Sequence, residues 1–144
     1  MNGNVRFAVA VHVLVLLALA EEPLSSASIA ENVDTNAVVI RRILGLLQHA
    51  GLVTGRSGPG GGFRLARTPE DITLDHVFHA VDESGAVPLT HRPNPRCPVG
   101  AHVSAVLCTV GRRAEKAFLE TLGGQTLAAT VLQVRRKAGA ALRS

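Results

Sequence analysis

The chain has 144 residues and a formal net charge of +4, with 47% apolar but only 3% aromatic residues. The positive charge suits a polyanionic partner, while the shortage of rings disfavours binding of single-stranded nucleic acid, which relies on stacking of bases on aromatic side chains. Two cysteines are too few for a disulfide scaffold and suit a reducing compartment, so we expect a cytoplasmic protein.

The first apolar segment covers residues 7–20 and is interrupted only by His12. It is shorter than the roughly 20 residues that span a bilayer, and its pattern predicts a helix over residues 5–20 that is buried on more than one face. A signal peptide ending at Ala18-Leu19-Ala20 is the alternative, which His12 and the single preceding charge of Arg6 disfavour.

Two further helices are predicted before the first glycine-rich segment. Ser25 is a suitable N-cap for a short helix through Val33, and Thr35 or Asn36 can cap a third helix that reaches Ala50. The apolar residues of both helices recur at helical spacing and are expected to face the core: Ile29, Ala30, Val39, Ile40, Ile43, Leu44 and Leu47.

The other face of the third helix is polar and basic. Its residues are Asn36, Val38, Arg41, Arg42, Gly45, Gln48 and His49. Arg41, Arg42 and Gln48 suit phosphates and base edges in a DNA major groove. Gly45 would allow a close approach of this face to DNA or to the second helix. For a single helix, a solvated face is the alternative interpretation.

A glycine-rich turn over residues 58–62 separates two short alternating segments, residues 52–54 and 63–65, which predict a β-hairpin. Arg56 and Arg64 lie on either side of the turn, and the hairpin contains no acidic residue. A basic hairpin directly after two short helices and a tight turn indicates a winged helix-turn-helix. The predicted fold class is therefore mainly α with a small β-hairpin.

A fourth helix and a long fifth helix follow the hairpin. Thr73 is predicted to cap a helix over residues 74–81, with Leu74, Val77, Phe78 and Val81 buried. Prolines exclude a regular helix from residue 85 to residue 98, and a long helix is predicted over residues 100–122.

The long helix carries an apolar seam with a period of 3.5 residues. Its members are Val103, Leu107, Val110, Ala114, Ala117 and Thr121, widened by Val106 and Phe118. Outside the winged domain this seam would lack a covering core, so we expect a second copy of the chain to cover it.

Thr126 can cap a last helix, which a frayed basic tail over residues 135–143 follows. These features divide the chain into a DNA-binding domain over residues 1–87, a proline-rich candidate sensor loop over residues 88–99, and a dimerisation helix, last helix and tail over residues 100–144.

Taken in order, these motifs resemble the Rrf2 family of bacterial winged-helix regulators, which includes IscR and NsrR, and the proline-rich segment resembles the YwnA-type branch of that family. The segments that carry the resemblance are Phe7-Ala8-Val9-Ala10-Val11-His12, Ser28-Ile29-Ala30-Glu31, Arg41-Arg42-Ile43-Leu44, Leu47-Gln48-His49-Ala50-Gly51-Leu52-Val53, Gly58-Pro59-Gly60-Gly61-Gly62, Ile72-Thr73-Leu74-Asp75-His76-Val77 and Pro93-Asn94-Pro95-Arg96-Cys97-Pro98-Val99-Gly100. The resemblance implies a homodimer, crossed through the long helix, that binds a palindromic operator and represses transcription. It also implies that the third helix reads the major groove while the wing tip enters a minor groove.

The candidate DNA-binding residues are Ser25, Thr35, Asn36, Val38, Arg41, Arg42, Gln48, Arg56, Ser57, Gly58, Gly60, Gly61 and Arg64. One of them departs from the family pattern, which often has arginine directly before Gly-Pro-Gly-Gly. Here Ser57 occupies that position and Arg56 precedes it. Because alternate residues of a strand face opposite sides, this shift leaves the entry of Arg56 into the minor groove open.

The cysteines also depart from the family pattern. Cluster-binding members hold iron and sulfur with three closely spaced cysteines before the long helix, whereas this chain has only Cys97 there and Cys108 within the helix. On one helix these residues would lie about 16 Å apart, beyond the reach of a disulfide. We therefore expect no iron–sulfur cluster. Cys97, beside a helix start and near Arg92 and Arg96, is a candidate redox sensor, with a small turn residue as the alternative. Cys108 is expected to be buried as a small hydrophobic residue.

Other functional classes are less well supported. The glycine turn lacks the Gly-Lys-Ser/Thr ending of a phosphate-binding loop and precedes a strand, so no enzyme is indicated. Paired metal ligands at zinc-site spacing are also lacking. A regulator that responds to a small ligand or a metal, and a winged helix that binds only protein, remain as alternatives. A DNA-binding protein would show a salt slope near −0.9 per phosphate contact.

Overall fold

A computed structural model describes residues 2–82 and 92–142 of the chain, so residues 88–91 of the predicted loop lie outside the described residues. The described residues form α-helices, one two-stranded antiparallel sheet and short 3-10 turns. In chain order the main elements are α1 (Gly3–Leu19), α2 (Ser26–Val33), α3 (Ala37–His49), β1 (Val53–Arg56), β2 (Gly62–Leu65), α4 (Leu74–Val81), α5 (Pro98–Gly123) and α6 (Leu127–Ala138). This order confirms the predicted winged helix-turn-helix with a long C-terminal helix.

Helix α1 forms the centre of the hydrophobic core. Ala10, Val13 and Leu14 are fully buried, and α2, α3, α4 and α6 all pack against the helix. Contacts from several directions explain why its sequence is apolar on more than one face, as predicted. Within the described parts of the chain, no helix has both the length and the hydropathy needed to cross a membrane.

Side-chain caps define the starts of α2 and α3. The Ser25 hydroxyl accepts a hydrogen bond from the N–H of Ser28 at 3.1 Å, and Asn36 Oδ1 accepts one from the N–H of Val38 at 2.7 Å. Each cap accepts a hydrogen bond from a backbone N–H group of the first turn, which has no partner within the helix. Between the two helices, Asp34 adopts the left-handed conformation, with a φ of 60°, and this residue makes the tight turn.

The hairpin occurs where it was predicted, although its first strand begins and ends slightly later. The register pairs Val53 with Leu65, Thr54 with Arg64, Gly55 with Phe63 and Arg56 with Gly62. Leu52 precedes the strand and is buried.

A backbone connection that the sequence did not indicate widens this sheet. Leu24, just before α2, donates a hydrogen bond from its N–H to the Phe63 carbonyl at 3.0 Å and accepts one from the Phe63 N–H at 2.8 Å. The close approach needs glycine at position 62, where φ is +134° and an added Cβ would lie 2.9 Å from the Leu24 carbonyl oxygen. Two backbone hydrogen bonds therefore hold the wing against the segment that precedes the helix-turn-helix.

Helix α4 begins at its predicted cap. The N–H of Thr73 donates to His76 Nδ1 at 3.2 Å, and the Thr73 hydroxyl donates to Asp75 Oδ1. The predicted core residues Val77, Phe78 and Val81 are buried, while Leu74 is half-buried.

Helix α5 begins two residues earlier than predicted, at Pro98. Proline is accepted at the first helical position because the N–H that it lacks would have no intrahelical partner there. Near the other end of the helix, the ring of Phe118 packs edge to face on Phe78. Phe118 is half-buried and thus has one contact within its own chain, while its part in a dimer seam stays a prediction.

Helix α6 packs against α1 and contributes Leu127, which is fully buried, to the same core. The N–H of Leu127 donates to the Ile72 carbonyl at 2.7 Å, and the N–H of Leu74 donates to the Gln125 carbonyl at 2.9 Å. The last helix therefore belongs to the core of the winged domain, whereas the sequence grouped it with the dimerisation helix. Residues 135–137, predicted to fray, form the last turn of α6.

Candidate nucleic-acid interface

The outward face of α3 is basic and exposed. Arg41, Arg42 and Gln48 are exposed, as are Asn36, Gly45 and His49 of the same predicted face. Val38 has 62% of its surface exposed. An exposed aliphatic side chain beside two arginines can contact a thymine methyl group while the guanidinium groups bind guanine edges or phosphates. The helix thus presents the chemistry that major-groove recognition requires.

Gly45 lies on this exposed face without a packing partner. A Cβ added to Gly45 would meet no atom within 4 Å. The expected close approach to α2 is therefore wrong, since Gly45 faces open space. The expected approach to DNA stays a prediction.

The hairpin has one inward and one outward face. Directly paired residues of an antiparallel sheet point to the same side. The register therefore shows which side chains of the hairpin lie on each face. Val53 is buried and Phe63 half-buried on the inner side, while Thr54, Arg56 and Arg64 are exposed on the outer side. The structure thus brings Arg56 and Arg64 together on one surface.

The wing tip consists of small, exposed residues. Ser57, Gly58 and Gly60 are exposed, and the half-buried Gly61 donates a hydrogen bond from its N–H to the Gly58 carbonyl at 2.9 Å. Positive φ angles of 87° at Gly58 and 74° at Gly60 allow the turn. No side chain between Arg56 and Arg64 carries a charge.

The end of α3 lies against the first wing strand. A Cβ added to Gly55 would lie 2.8 Å from Cε1 of Phe63 and 3.0 Å from Nε2 of Gln48. The amide of Gln48 is therefore placed beside the wing, at the C-terminal end of α3. The glycine at position 55 allows this contact, which the sequence did not indicate.

Two predicted contact residues also hold the helix-turn-helix together. The Ser25 hydroxyl is exposed but occupied in capping α2. The half-buried Thr35 donates a hydrogen bond from its N–H to the Ala30 carbonyl at 3.0 Å, at the end of α2.

Helix α5 exposes an apolar face along its first half. Val103, Val106 and Val110 of the predicted seam have 40%, 61% and 44% of their surfaces exposed, and Val99, which the sequence assigned to the loop, has 64% exposed. Ala114 and Ala117 of the seam are also exposed. The described residues of this chain thus leave the face largely uncovered.

Both cysteines are exposed free thiols. Cys97 occupies the N-cap position of α5, and its N–H donates to the Asn94 carbonyl at 2.9 Å. The expectation that Cys108 is buried is wrong, because it lies on the side of α5 that no other described element covers.

The cysteines of the chain do not fit an iron–sulfur cluster, and the donors of the described residues do not form a structural zinc site. Clusters are held mainly by several cysteine thiolates, and the chain has two cysteines in all. Cys97 is the N-cap of α5 and Cys108 lies eleven positions further along the same helix, so their Cα atoms are about 16 Å apart. Among the residues that the structure describes, no group of three histidine, cysteine, aspartate or glutamate side chains could hold a metal ion.

A helix-turn-helix with a basic outward α3, joined to a basic wing, defines a winged-helix DNA-binding regulator. The model of the Rrf2 family, described as an iron-dependent transcriptional regulator, matches residues 4–133. The chain therefore belongs to the Rrf2 family. It is a helix-turn-helix transcriptional regulator and not an enzyme.

Curated relatives cover most of the chain. It is 38% identical over 125 residues to YwnA of Bacillus subtilis, an HTH-type regulator by provisional assignment, and the match covers 86% of this chain and 92% of YwnA. It is 32% identical over 108 residues to the protein rrf2 of Nitratidesulfovibrio vulgaris, covering 75% of this chain and 71% of that protein. The IscR regulator of Aliivibrio salmonicida is 38% identical over 84 residues, which cover 58% of this chain and half of IscR.

Solved structures share the fold. IscR of T. potens superposes with a TM-score of 0.71 at 25% identity, covering 94% of this chain and 89% of that chain. CymR, the global cysteine regulator of B. subtilis, superposes with a TM-score of 0.64 at 22% identity, covering 89% of this chain and 94% of CymR. The likeness to CymR shows the fold alone.

Proposed function

We propose that the protein is a homodimeric repressor that binds a palindromic DNA operator and responds to oxidants without an iron–sulfur cluster. The observation that carries the proposal is the combination of an exposed basic α3 with an exposed apolar face on α5 in the same chain. A regulator that acts on the chromosome in this way works in the cytoplasm.

The apolar face of α5 supports the dimer. Val99, Val103 and Val106 line a mainly apolar surface groove of about 550 Å³ together with Pro98, His102 and Leu107. Contiguous exposed apolar surface of this kind marks an interaction site. A second copy is the simplest partner, because a two-fold axis lets the same face cover itself.

A two-fold dimer would present two α3 helices to one side of a duplex. Their separation is expected to be about 34–36 Å or a multiple of it, so that each enters a major groove of a palindromic site. In each half-site, Arg41, Arg42 and Gln48 would contact the groove and the wing residues would contact the flanking DNA. Bound at a promoter, such a dimer would exclude the polymerase, which is the physical basis of repression.

The position of Cys97 supports a thiol-based response. The thiol is exposed at the start of the proposed dimerisation helix, and the neighbouring Arg92 and Arg96 are exposed as well. An organic hydroperoxide would oxidise two Cys97 thiols, one from each protomer, to a disulfide; its O–O bond would break, and the two thiol protons would leave in the alcohol and the water that form. The new bond would fix the start of each α5 in a different position and so change the spacing of the two α3 helices.

Selection of bound fragments from genomic DNA, with and without peroxide, would test the proposal and supply the operator. The R41A/R42A variant should lose operator binding while keeping its circular dichroism spectrum and its dimeric mass in sedimentation. The R135A/R136A variant, which loses the same charge from the exposed end of α6, is the matched control and should bind like the wild type. Retained binding by R41A/R42A would show that α3 does not contact the DNA.

The thiol response has its own test. Operator binding by the wild type should fall on peroxide treatment and return with dithiothreitol, whereas the C97S variant should be insensitive and C108S should behave as the wild type. An unchanged response in C97S would remove Cys97 as the sensor and leave the regulator itself intact.

A further inference from the structure

A cavity opens on the outward face of the wing sheet, on the side opposite the Phe63 ring. Its volume is about 260 Å³, and its lining residues are Pro23, Thr54, Gly55, Arg56, Gly62 and Arg64. Two of these residues are arginines, and none is acidic.

The strand register explains why the cavity exists. Arg56 of β1 is paired directly with Gly62 of β2, and Arg64 lies two residues after Gly62 in β2. Diagonal neighbours of this type are about 7–8 Å apart, within the reach of two long side chains that converge on one point. On the other edge, the Leu24–Phe63 bridge brings the Cβ of Pro23 to 3.1 Å from where a Cβ of residue 62 would lie. Because residue 62 is glycine, the space between Arg56 and Pro23 stays empty.

We propose that this cavity binds one phosphate of the DNA backbone, held between the guanidinium groups of Arg56 and Arg64 and the hydroxyl of Thr54. The proposal rests on the proposed function and specifies how the wing contributes to it. Planar guanidinium groups bind phosphate oxygens in pairs of parallel hydrogen bonds. Thr54, paired with Arg64 and exposed on the same face, adds a neutral donor. A bound phosphate would also neutralise the mutual repulsion of the two arginines.

The proposal assigns the wing a role different from minor-groove reading. Arg56 and Arg64 lie on the face of the sheet, while the tip presents Ser57 and glycines. A phosphate contact positions a protein on the duplex but carries no sequence information, and reading of a narrow A·T minor groove requires a cation inside it. The wing should therefore add affinity that does not depend on the base pairs beneath it.

The first test measures how operator affinity depends on salt, by fluorescence anisotropy of a labelled duplex that carries the selected operator. If Arg56 and Arg64 hold the same phosphate, R56A/R64A should reduce the salt slope by about 0.9 per protomer in total, about half of the loss that two separate phosphate contacts would give. R136A, which removes one exposed charge from α6, should leave the slope unchanged. Additive losses of about 0.9 for each arginine would indicate two separate phosphates and overturn the proposal.

The second test changes the DNA and leaves the protein intact. Single methylphosphonate linkages are placed in turn along the operator flank. Neutralising one linkage should weaken wild-type binding about tenfold or more, and R56A/R64A should not respond to that linkage. An equal response of both proteins at every linkage would overturn the inference while leaving DNA binding established.

A third comparison separates the phosphate contact from minor-groove reading. Replacing the flanking A·T pairs by G·C pairs should not change wild-type affinity, whereas the S57R variant, with a cation at the tip, should acquire a preference for A·T. A wild-type preference for A·T that I·C pairs restore would show that the wing reads the minor groove and would overturn the inference. If the wild type binds no duplex at any salt concentration, the proposed function fails and this inference fails with it.

Discussion

Phe78 of α4 and Phe118 of α5 pack edge to face, with ring centroids 5.1 Å apart and ring planes at 75°. Phe7 of α1 also contacts Phe78, with a centroid distance of 5.7 Å. Three of the four aromatic rings of the chain thus form one row. This row fastens the long helix to the winged domain.

The F118A variant is expected to be less stable than the wild type. Removing a partly buried ring that stacks on another should lower the free energy of unfolding by about 1–3 kcal/mol. Urea unfolding followed by circular dichroism measures the change. K116A, at an exposed position of the same helix, should unfold like the wild type, and equal stability of the two variants would show that the row does not anchor α5.

The V106E variant is expected to be monomeric. A carboxylate at the centre of an apolar interface would have to lose its hydration without a partner. Sedimentation equilibrium should give the monomer mass, and operator affinity should fall because the two α3 helices are no longer linked. A101E, exposed on another side of α5, should remain dimeric. A dimeric V106E would place the subunit contact elsewhere.

Asp75 should make stability depend on pH. Donation from the Thr73 hydroxyl lowers the pKa of Asp75, with the nearby His76 and backbone N–H groups adding to the effect and partial burial opposing it. A carboxylate whose folded-state pKa is depressed stabilises the fold above its unfolded pKa of about 3.9, and the contribution disappears as the pH falls through the folded-state value.

We therefore expect D75N to be less stable than the wild type at neutral pH, with the difference shrinking in acid. Urea unfolding across that range measures it. The same comparison in a T73V background, which lacks the donating hydroxyl, should show a weaker pH dependence. A difference between wild type and D75N that is constant with pH would contradict the assignment.

Replacement of Gly45 by alanine should raise stability and lower DNA affinity. Alanine costs less conformational entropy than glycine in a helix, so the free energy of unfolding should increase by about 0.5–1 kcal/mol, and no atom lies within 4 Å of the added Cβ. If α3 approaches the groove closely at this point, the methyl group should weaken operator binding. Unchanged affinity in a stabilised G45A would place this part of the helix away from the DNA.

Replacement of Gly62 should have the opposite effect on stability. The G62A variant combines a φ of +134° with a Cβ 2.9 Å from the Leu24 carbonyl oxygen, so we expect a loss of about 1–3 kcal/mol. G58A, where φ is +87° but no atom lies within 4 Å, should lose less. Hydrogen exchange at the Leu24 N–H would show whether the wing has detached.

The local features of the fold could be predicted from the sequence because each depends on neighbouring residues. Ser25, Thr73 and Thr126 could be predicted as N-caps because a cap depends only on the first turn of the helix that follows it. Helical spacing likewise sorted α3 into a buried side and an exposed side that includes Arg41 and Arg42. The glycine-rich turn predicted the wing for the same reason.

The features that the sequence did not predict depend on distant contacts. Leu24 pairs with Phe63, 39 positions further along the chain. A single bridge residue leaves no repeating pattern of apolar residues in the sequence, so this contact could not be predicted. The contact between Phe118 and Phe78 was not predicted, because heptad spacing does not tell which partner a helix face meets. Cys108 is apolar enough to be buried, but the described residues provide nothing to cover it.

The burial of Leu127 and the packing of α6 on α1 mean that a segment beyond the long helix completes the core of the winged domain. A fragment cut after the wing or after α4 would lack the part of the core that α6 contributes against α1. Genetic fusions that contain only the first 87 residues are therefore poor reagents, and reporters or affinity tags should be attached to a polypeptide that includes α6.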